Sequence, residues 1–139
     1  MPAPTRFDVF TKNLVDGVHN FASHSLKVAL TNTAPSAANT ILANITQISA
    51  GNGYTTGGTA ATTATSTTGG VAKVTVGDVV FTAGASAMAT FRYAVLYNDT
   101  PTSPSDPLIA WVDYGSAITL QPGETYTVDF DGSGGLFTV

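Results

Sequence analysis

Cysteine is absent from the 139 residues, which excludes a disulfide framework, a thiolate nucleophile and any cysteine-based zinc or iron–sulfur site. Charge is scarce: 10% of residues are charged, five basic and nine acidic, for a net charge of −4, where an ordinary domain carries about 25%. What charge there is lies unevenly. Residues 28–72 have none, and after Arg92 there are six acids and no base. Phosphate binding needs clustered Lys and Arg, so nucleic acid is not an expected partner. Long helix formers are also few. Glu, Lys, Arg and Gln total 8 residues against 41 for Val, Ile and Thr, which argues against an all-helical fold. No run approaches the roughly 18 apolar residues of a membrane helix, and the N-terminus shows no h-region. Neither a membrane partner nor a secretory address is expected.

The chain does have enough apolar residues for a core. Leu, Ile, Val and Phe supply 33 residues, and a chain of this length forms one domain that buries about two-thirds of its unfolded surface. With so few charges, the surface must be covered largely by Thr, Ser, Asn, Ala and Gly, a composition suited to facing other proteins.

Most of the chain reads as strands. Residues 25–31, 71–76, 79–82, 88–98, 108–114, 117–120, 125–130 and 136–139 are rich in β-branched and aromatic residues and bounded by Gly, Pro, Asn, Asp and Ser. The run 88–98 is apolar on both faces, which predicts a central strand. Residues 71–76 and 79–82, split by Gly77-Asp78, predict a hairpin or a bulged strand pair. Residues 55–70 use only four residue types, with Gly-Gly pairs at 57–58 and 69–70. Such low complexity fits a linker or a Thr-faced edge strand over 59–68. Residues 7–21 carry apolar side chains at helical spacing, interrupted by Gly17. Ile41, Ile45 and Ile48 suggest a second short helix within 36–48. The expected fold is therefore all-β with one or two short helices near the N-terminus. Its form is an antiparallel β-sandwich or jelly-roll-like domain over residues 1–139, with an N-terminal arm of about ten residues.

Motifs that carry chemistry are weak. His19 and His24 stand five apart, off the spacing that puts two imidazoles on one helix face for a metal. Asp129-Phe130-Asp131-Gly132-Ser133-Gly134 opens like a calcium loop, but the Glu of its twelfth position would fall at 140, and a turn is the better reading. Gly51-Asn52-Gly53-Tyr54 lacks nucleotide-binding spacing and reads as a turn with positive φ. Carboxylate pairs for glycoside cleavage could be drawn from Asp99, Asp106, Asp113 and Glu124. An acidic half of a β-domain always offers such pairs, and no G-x-S-x-G elbow presents a serine. No catalytic, metal or cofactor site is expected. Trp111 with Tyr93, Tyr97, Tyr114 and Tyr126 could line a sugar-stacking strip, although alternation along strands favours the core for most of these rings.

Two segments, residues 26–58 and 91–139, resemble small structural proteins of tailed-bacteriophage virions. The likeness is carried by Ala-Gly-Asn-Gly-Tyr at 50–54, Tyr-Ala-Val-Leu-Tyr-Asn-Asp at 93–99 and Asp-Tyr-Gly-Ser at 113–116. The resemblance implies a virion component without a cofactor, assembled in the host cytoplasm and placed on the capsid surface. The first reading is a non-enzymatic capsid decoration or cement protein, a homo-oligomer and specifically a trimer, whose partner is the major capsid protein. A tail, neck or fibre-associated domain is the second reading and a surface carbohydrate-binding module the third. In the proline-stiffened arm, Arg6, Phe7 and Phe10 are the expected partner contacts.

Overall fold

The computed structural model describes residues 3–130 and 135–139. In chain order its elements are β1 (Thr5–Arg6), α1 (Asp8–Val15), β2 (Leu26–Thr31), β3 (Thr59–Ala61), β4 (Thr63–Thr68), β5 (Val71–Val76), β6 (Val79–Thr82), β7 (Phe91–Asn98), β8 (Leu108–Ile118), β9 (Thr125–Val128) and β10 (Phe137–Thr138). Every strand pair is antiparallel. The expected fold class holds: the domain is all-β with a short N-terminal helix.

The strands form a five-stranded sheet ordered β1-β8-β7-β2-β3, a three-stranded sheet β10-β5-β4 and a two-stranded sheet β6-β9. One face of the large sheet presents Leu26, Val28, Leu30, Ala94 and Leu96 to a core shared with Val74 and Val76 of β5, Phe81 of β6, Val128 of β9 and Phe137 of β10. The opposite face is smaller and also covered. There Ala29, Val95, Tyr97 and Leu108 pack with Phe7, Ile45 and, at the margin, Trp111. Side chains alternate between faces along a strand, so β7, lying between β8 and β2, must be apolar on both. This is the central strand that the sequence predicts.

Pairing between neighbours in the chain departs from expectation. β5 does not form a hairpin with β6. It pairs with β4 through the Gly69-Gly70 turn, with Thr68 opposite Val71, while β6 pairs with β9. Positive φ at both glycines, 58° and 80°, gives the turn whose twist matches the flanking strands. The predicted strands 108–114 and 117–120 are one strand, β8. Its Gly115-Ser116 break is a bulge, because Tyr93 lies opposite Asp113 and Phe91 opposite Ile118. At this irregular end of β7, Phe91 joins the main core instead of the cluster that holds Val95 and Tyr97.

The two helix expectations fare differently. Over 7–21 the helix is real but ends at Val15. Over 36–48 only Leu42–Asn44 is helical, as a single 3₁₀ turn. The Asn44 side-chain oxygen accepts the backbone N–H groups of Thr40 and Ile41, at 3.0 and 3.2 Å, and so supplies a local alternative to the helix ladder.

Candidate functional site

The N-terminal arm is not free. Thr5 and Arg6 pair with Trp111 and Ala110 at the edge of the large sheet, and the Phe7 N–H donates to Ile109 O at 3.1 Å. The chain then turns into α1. Phe7 and Phe10 are each 1% exposed. Phe7 packs on Trp111 at 4.6 Å between ring centroids, and Phe10 on Phe137 at 5.3 Å and Phe21 at 6.2 Å. The reading of these two rings as partner contacts is thereby corrected: both are core residues of their own domain. Arg6 stays exposed, its guanidinium 5.8 Å from the Phe10 centroid and 5.6 Å from that of Phe137.

The two histidines meet through a residue with no local sequence signal. Asn98, wholly buried at the end of β7, accepts the Thr100 N–H on its side-chain oxygen at 3.1 Å. That contact orients the amide so that its nitrogen donates to His19 Nδ1 at 3.0 Å and to His24 Nδ1 at 2.9 Å. His24 Nδ1 also lies 3.2 Å from the Asn20 N–H. Segment 19–25 is thus fastened to the large sheet by one amide and two imidazole acceptors. His19 stacks against Phe21 at 5.6 Å and lies 5.4 Å from Phe10. Its Nε2 is buried and has no hydrogen-bond partner among the described residues. Burial first, and the charge of His24 second, push the His19 pKa down to about 4. Among the described residues, no three His, Asp or Glu side chains are grouped as metal ligands.

Of the four acids considered for hydrolysis, the fold brings two together. Burial first, then Asp99, raises the Asp106 pKa, while Lys27 sits 3.2 Å from Asp99 and offsets the charge. Asp113 is held by Arg92 at 2.8 and 3.2 Å, and this bidentate pair keeps its carboxyl below the usual range. The Glu124 carboxylate accepts the Gln121 N–H within its own turn at 2.7 Å. At the other acidic end, burial and then the neighbouring Asp129 raise the pKa of Asp78. The remainder of the calcium-like loop, 131–134, lies outside the described residues.

The aromatic strip does not assemble as a surface. Tyr54, Tyr97 and Tyr126 are buried, Trp111 is half-buried against Phe7, and Tyr114 alone is markedly exposed, at 47%. Tyr54 serves the fold: its hydroxyl accepts the Leu30 N–H at 3.2 Å and donates to Gln47 at 2.6 Å, while Gln47 also takes the Gly57 N–H at 2.7 Å. This network seats the 50–58 loop, which carries the Ala-Gly-Asn-Gly-Tyr motif, on β2.

What remains at the surface is the β4–β5 hairpin. Residues 64–72 are exposed along their whole length and uncharged. Beside the hairpin lies an open groove of about 510 Å³, lined among others by Leu14, His19, Phe21, Thr65, Val74 and Phe137. A strand edge next to an apolar groove is a surface on which an extended chain can dock. No family model, no curated protein and no solved structure matches this chain. The hairpin is therefore the candidate functional surface on geometry alone. Sequence reasoning anticipated the strand there, as one of two readings of a low-complexity segment, but not the exposure of the whole hairpin.

Proposed function

We propose that this protein is a non-enzymatic structural component of a bacteriophage virion, a capsid decoration or cement protein that binds the major capsid protein lattice and stabilises the head. One observation carries the reading: the longest charge-free run of the chain, residues 28–72, ends in a hairpin whose residues 64–72 are all exposed. Such a surface gains nothing from water-exposed charge and suits extended contact with neighbouring subunits. The likeness of residues 26–58 and 91–139 to phage virion proteins supports the same reading. In it, copies assemble as trimers on the capsid surface. Each adds a modest contact, and clamping several subunits at once makes opening of the shell require several contacts to break together. With Phe7 and Phe10 in the core, Arg6 is the member of the arm left at the surface for an acidic group of the capsid.

Copy number tests this. Quantitative mass spectrometry of purified virions should give a simple lattice fraction of the major capsid protein. A handful of copies per particle would move the protein to the tail, neck or a fibre, and absence from the particle would end the virion reading. The carbohydrate-binding alternative requires exposed rings. Because Trp111 is packed on Phe7, glycans are expected to leave tryptophan fluorescence unchanged.

A further inference from the structure

We infer that the outer edge of β4 is a self-association edge, at which a second copy of this chain adds its own β4 antiparallel about a two-fold axis through Thr65. Hydrogen bonding within the small sheet shows which groups are available. Ala72 exchanges both backbone bonds with Val139, at 2.8 and 2.9 Å, and the Val74 carbonyl accepts the Leu136 N–H at 2.6 Å. These residues of β5 face β10. The alternate residues Val71, Lys73 and Thr75 therefore face β4, where they meet Thr68, Ser66 and Ala64. The same alternation turns the backbone groups of Thr63, Thr65 and Thr67 outward, along an edge with no further strand among the described residues; at its Thr63 end the side-chain hydroxyl donates to the Phe21 carbonyl at 3.0 Å.

This edge differs from the others among the described residues. β1 and β10 have two residues, β3 three, and β6 and β9 four each. Short edges are poor templates for pairing, and long ones are ordinarily blunted by charge, proline, a bulge or a covering segment. β4 has six residues in unbroken register with β5 and contains neither charge nor proline. The occupant follows from symmetry. A two-fold axis sets only its central residue against its own counterpart and pairs the others symmetrically about it, so a charge on the edge would lie close to its own copy across the short seam, and this edge has none. The pairing sets Thr65 against Thr65 of the second copy, Thr63 against Thr67, and Ala64 against Ser66. Thr–Thr pairs are favourable cross-strand neighbours, and the outward groups of Thr63, Thr65 and Thr67 are the ones such a register uses.

One six-residue seam falls well short of the roughly 800 Å² per partner of a stable interface. The contact is accordingly weak in dilute solution and is engaged where copies are held close together. Resting here on the decoration reading, trimers on neighbouring three-fold positions of a shell face one another across local two-folds, so β4 seams would knit them into a net.

The cysteine-free chain allows a direct test. Paired residues that exchange both bonds lie about 5.5 Å apart between Cα atoms, within the range a disulfide spans. Under mild oxidation Thr65→Cys should form covalent dimers at least about tenfold faster than Val80→Cys, an exposed position on β6. A mixture of Thr63→Cys and Thr67→Cys chains should give heterodimers in preference to either homodimer. In sedimentation at high concentration the unaltered protein should show a concentration-dependent dimer, and Thr65→Lys, which sets two cations on the axis, should abolish it while its circular dichroism stays unchanged. Equal cross-linking rates at positions 65 and 80, or homodimers matching heterodimers in the mixture, would overturn the proposal. These readouts are independent of the virion. Cross-linking with few copies per particle would keep the edge and remove the decoration role, and a lattice fraction without cross-linking would do the reverse.

Discussion

Gly58→Ala is expected to cost more than about 4 kcal/mol, the range reached only when a substitution forces the interior to move. The reason is a close approach of backbone to backbone. A Cβ at Gly58 would stand 1.8 Å from the Val28 carbonyl oxygen, 2.5 Å from its carbon and 2.9 Å from Ala29 Cα. These atoms belong to β2, which is paired on one side with β3 and on the other with β7, so the obstacle cannot swing aside as a flexible side chain would. The residue also sits at φ +82°, where an L-side chain is strained whatever the space. Gly17 provides the control. It has φ +77° with nothing within 4 Å of a built Cβ, so Gly17→Ala isolates the conformational strain, about 1–2 kcal/mol. Urea unfolding of the two variants should therefore separate them by several kcal/mol, a large part of the roughly 5–15 kcal/mol that holds a domain together. Gly53→Ala, whose Cβ would lie 1.9 Å from the Thr82 carbonyl oxygen, should resemble Gly58→Ala. Equal costs for Gly58→Ala and Gly17→Ala would mean that the loop does not lie against β2 as described.

That loop also shows where sequence reading succeeds and where it stops. Alternation and turn chemistry are local, so β2, β7 and the positive-φ turn at 51–53 are legible in the chain itself. Partner choice is not local. Gly77-Asp78 looks like a hairpin turn, yet the Gly77 N–H donates to Thr62 O at 2.8 Å, and the chain passes there from one sheet to another. The Thr-rich run 59–68 reads as a single strand, but Thr62 divides it, β3 joining the large sheet and β4 the small one. Phe7 and Phe10 have the spacing of an apolar face, and that spacing does not say whether the face meets a neighbour or the chain's own core. The fold answers this because β1 pins the arm to β8, and α1 then has only the interior to pack against. His19 and His24 carry no metal spacing, and their meeting point, Asn98, lies 79 and 74 residues away along the chain.

Stability is expected to fall as pH drops from about 6.5 towards 4, by about 3 kcal/mol from His19 alone. The folded state holds this imidazole at a pKa of about 4, below its ordinary value of 6.5, because the ring is buried beside Phe10 and Phe21 and near His24. Between those two values the unfolded chain takes up the proton and the folded chain does not. Unfolding therefore gains protons in that window, and stability rises with pH through it. The full contribution is present above about 6.5 and is gone below about 4. Geometry points the same way: the Asn98 amide nitrogen donates to His19 Nδ1, so a proton on that atom would set donor against donor in a buried site. Asp78 and Asp106, whose carboxyl pKa values are raised above their ordinary 3.8, act in the opposite sense just above that value. Comparison of variants separates the contributions. Guanidinium unfolding at pH 5 and pH 7.5 should show a large loss for the unaltered protein. The loss should be much smaller for His19→Phe, which keeps an aromatic ring against Phe10 and Phe21 but removes the titrating group. An equal loss in both proteins would place the acid sensitivity elsewhere. A loss confined to the unaltered protein would assign the acid sensitivity to the titration of His19, whose imidazole is held in the His19–Asn98–His24 fastening of segment 19–25.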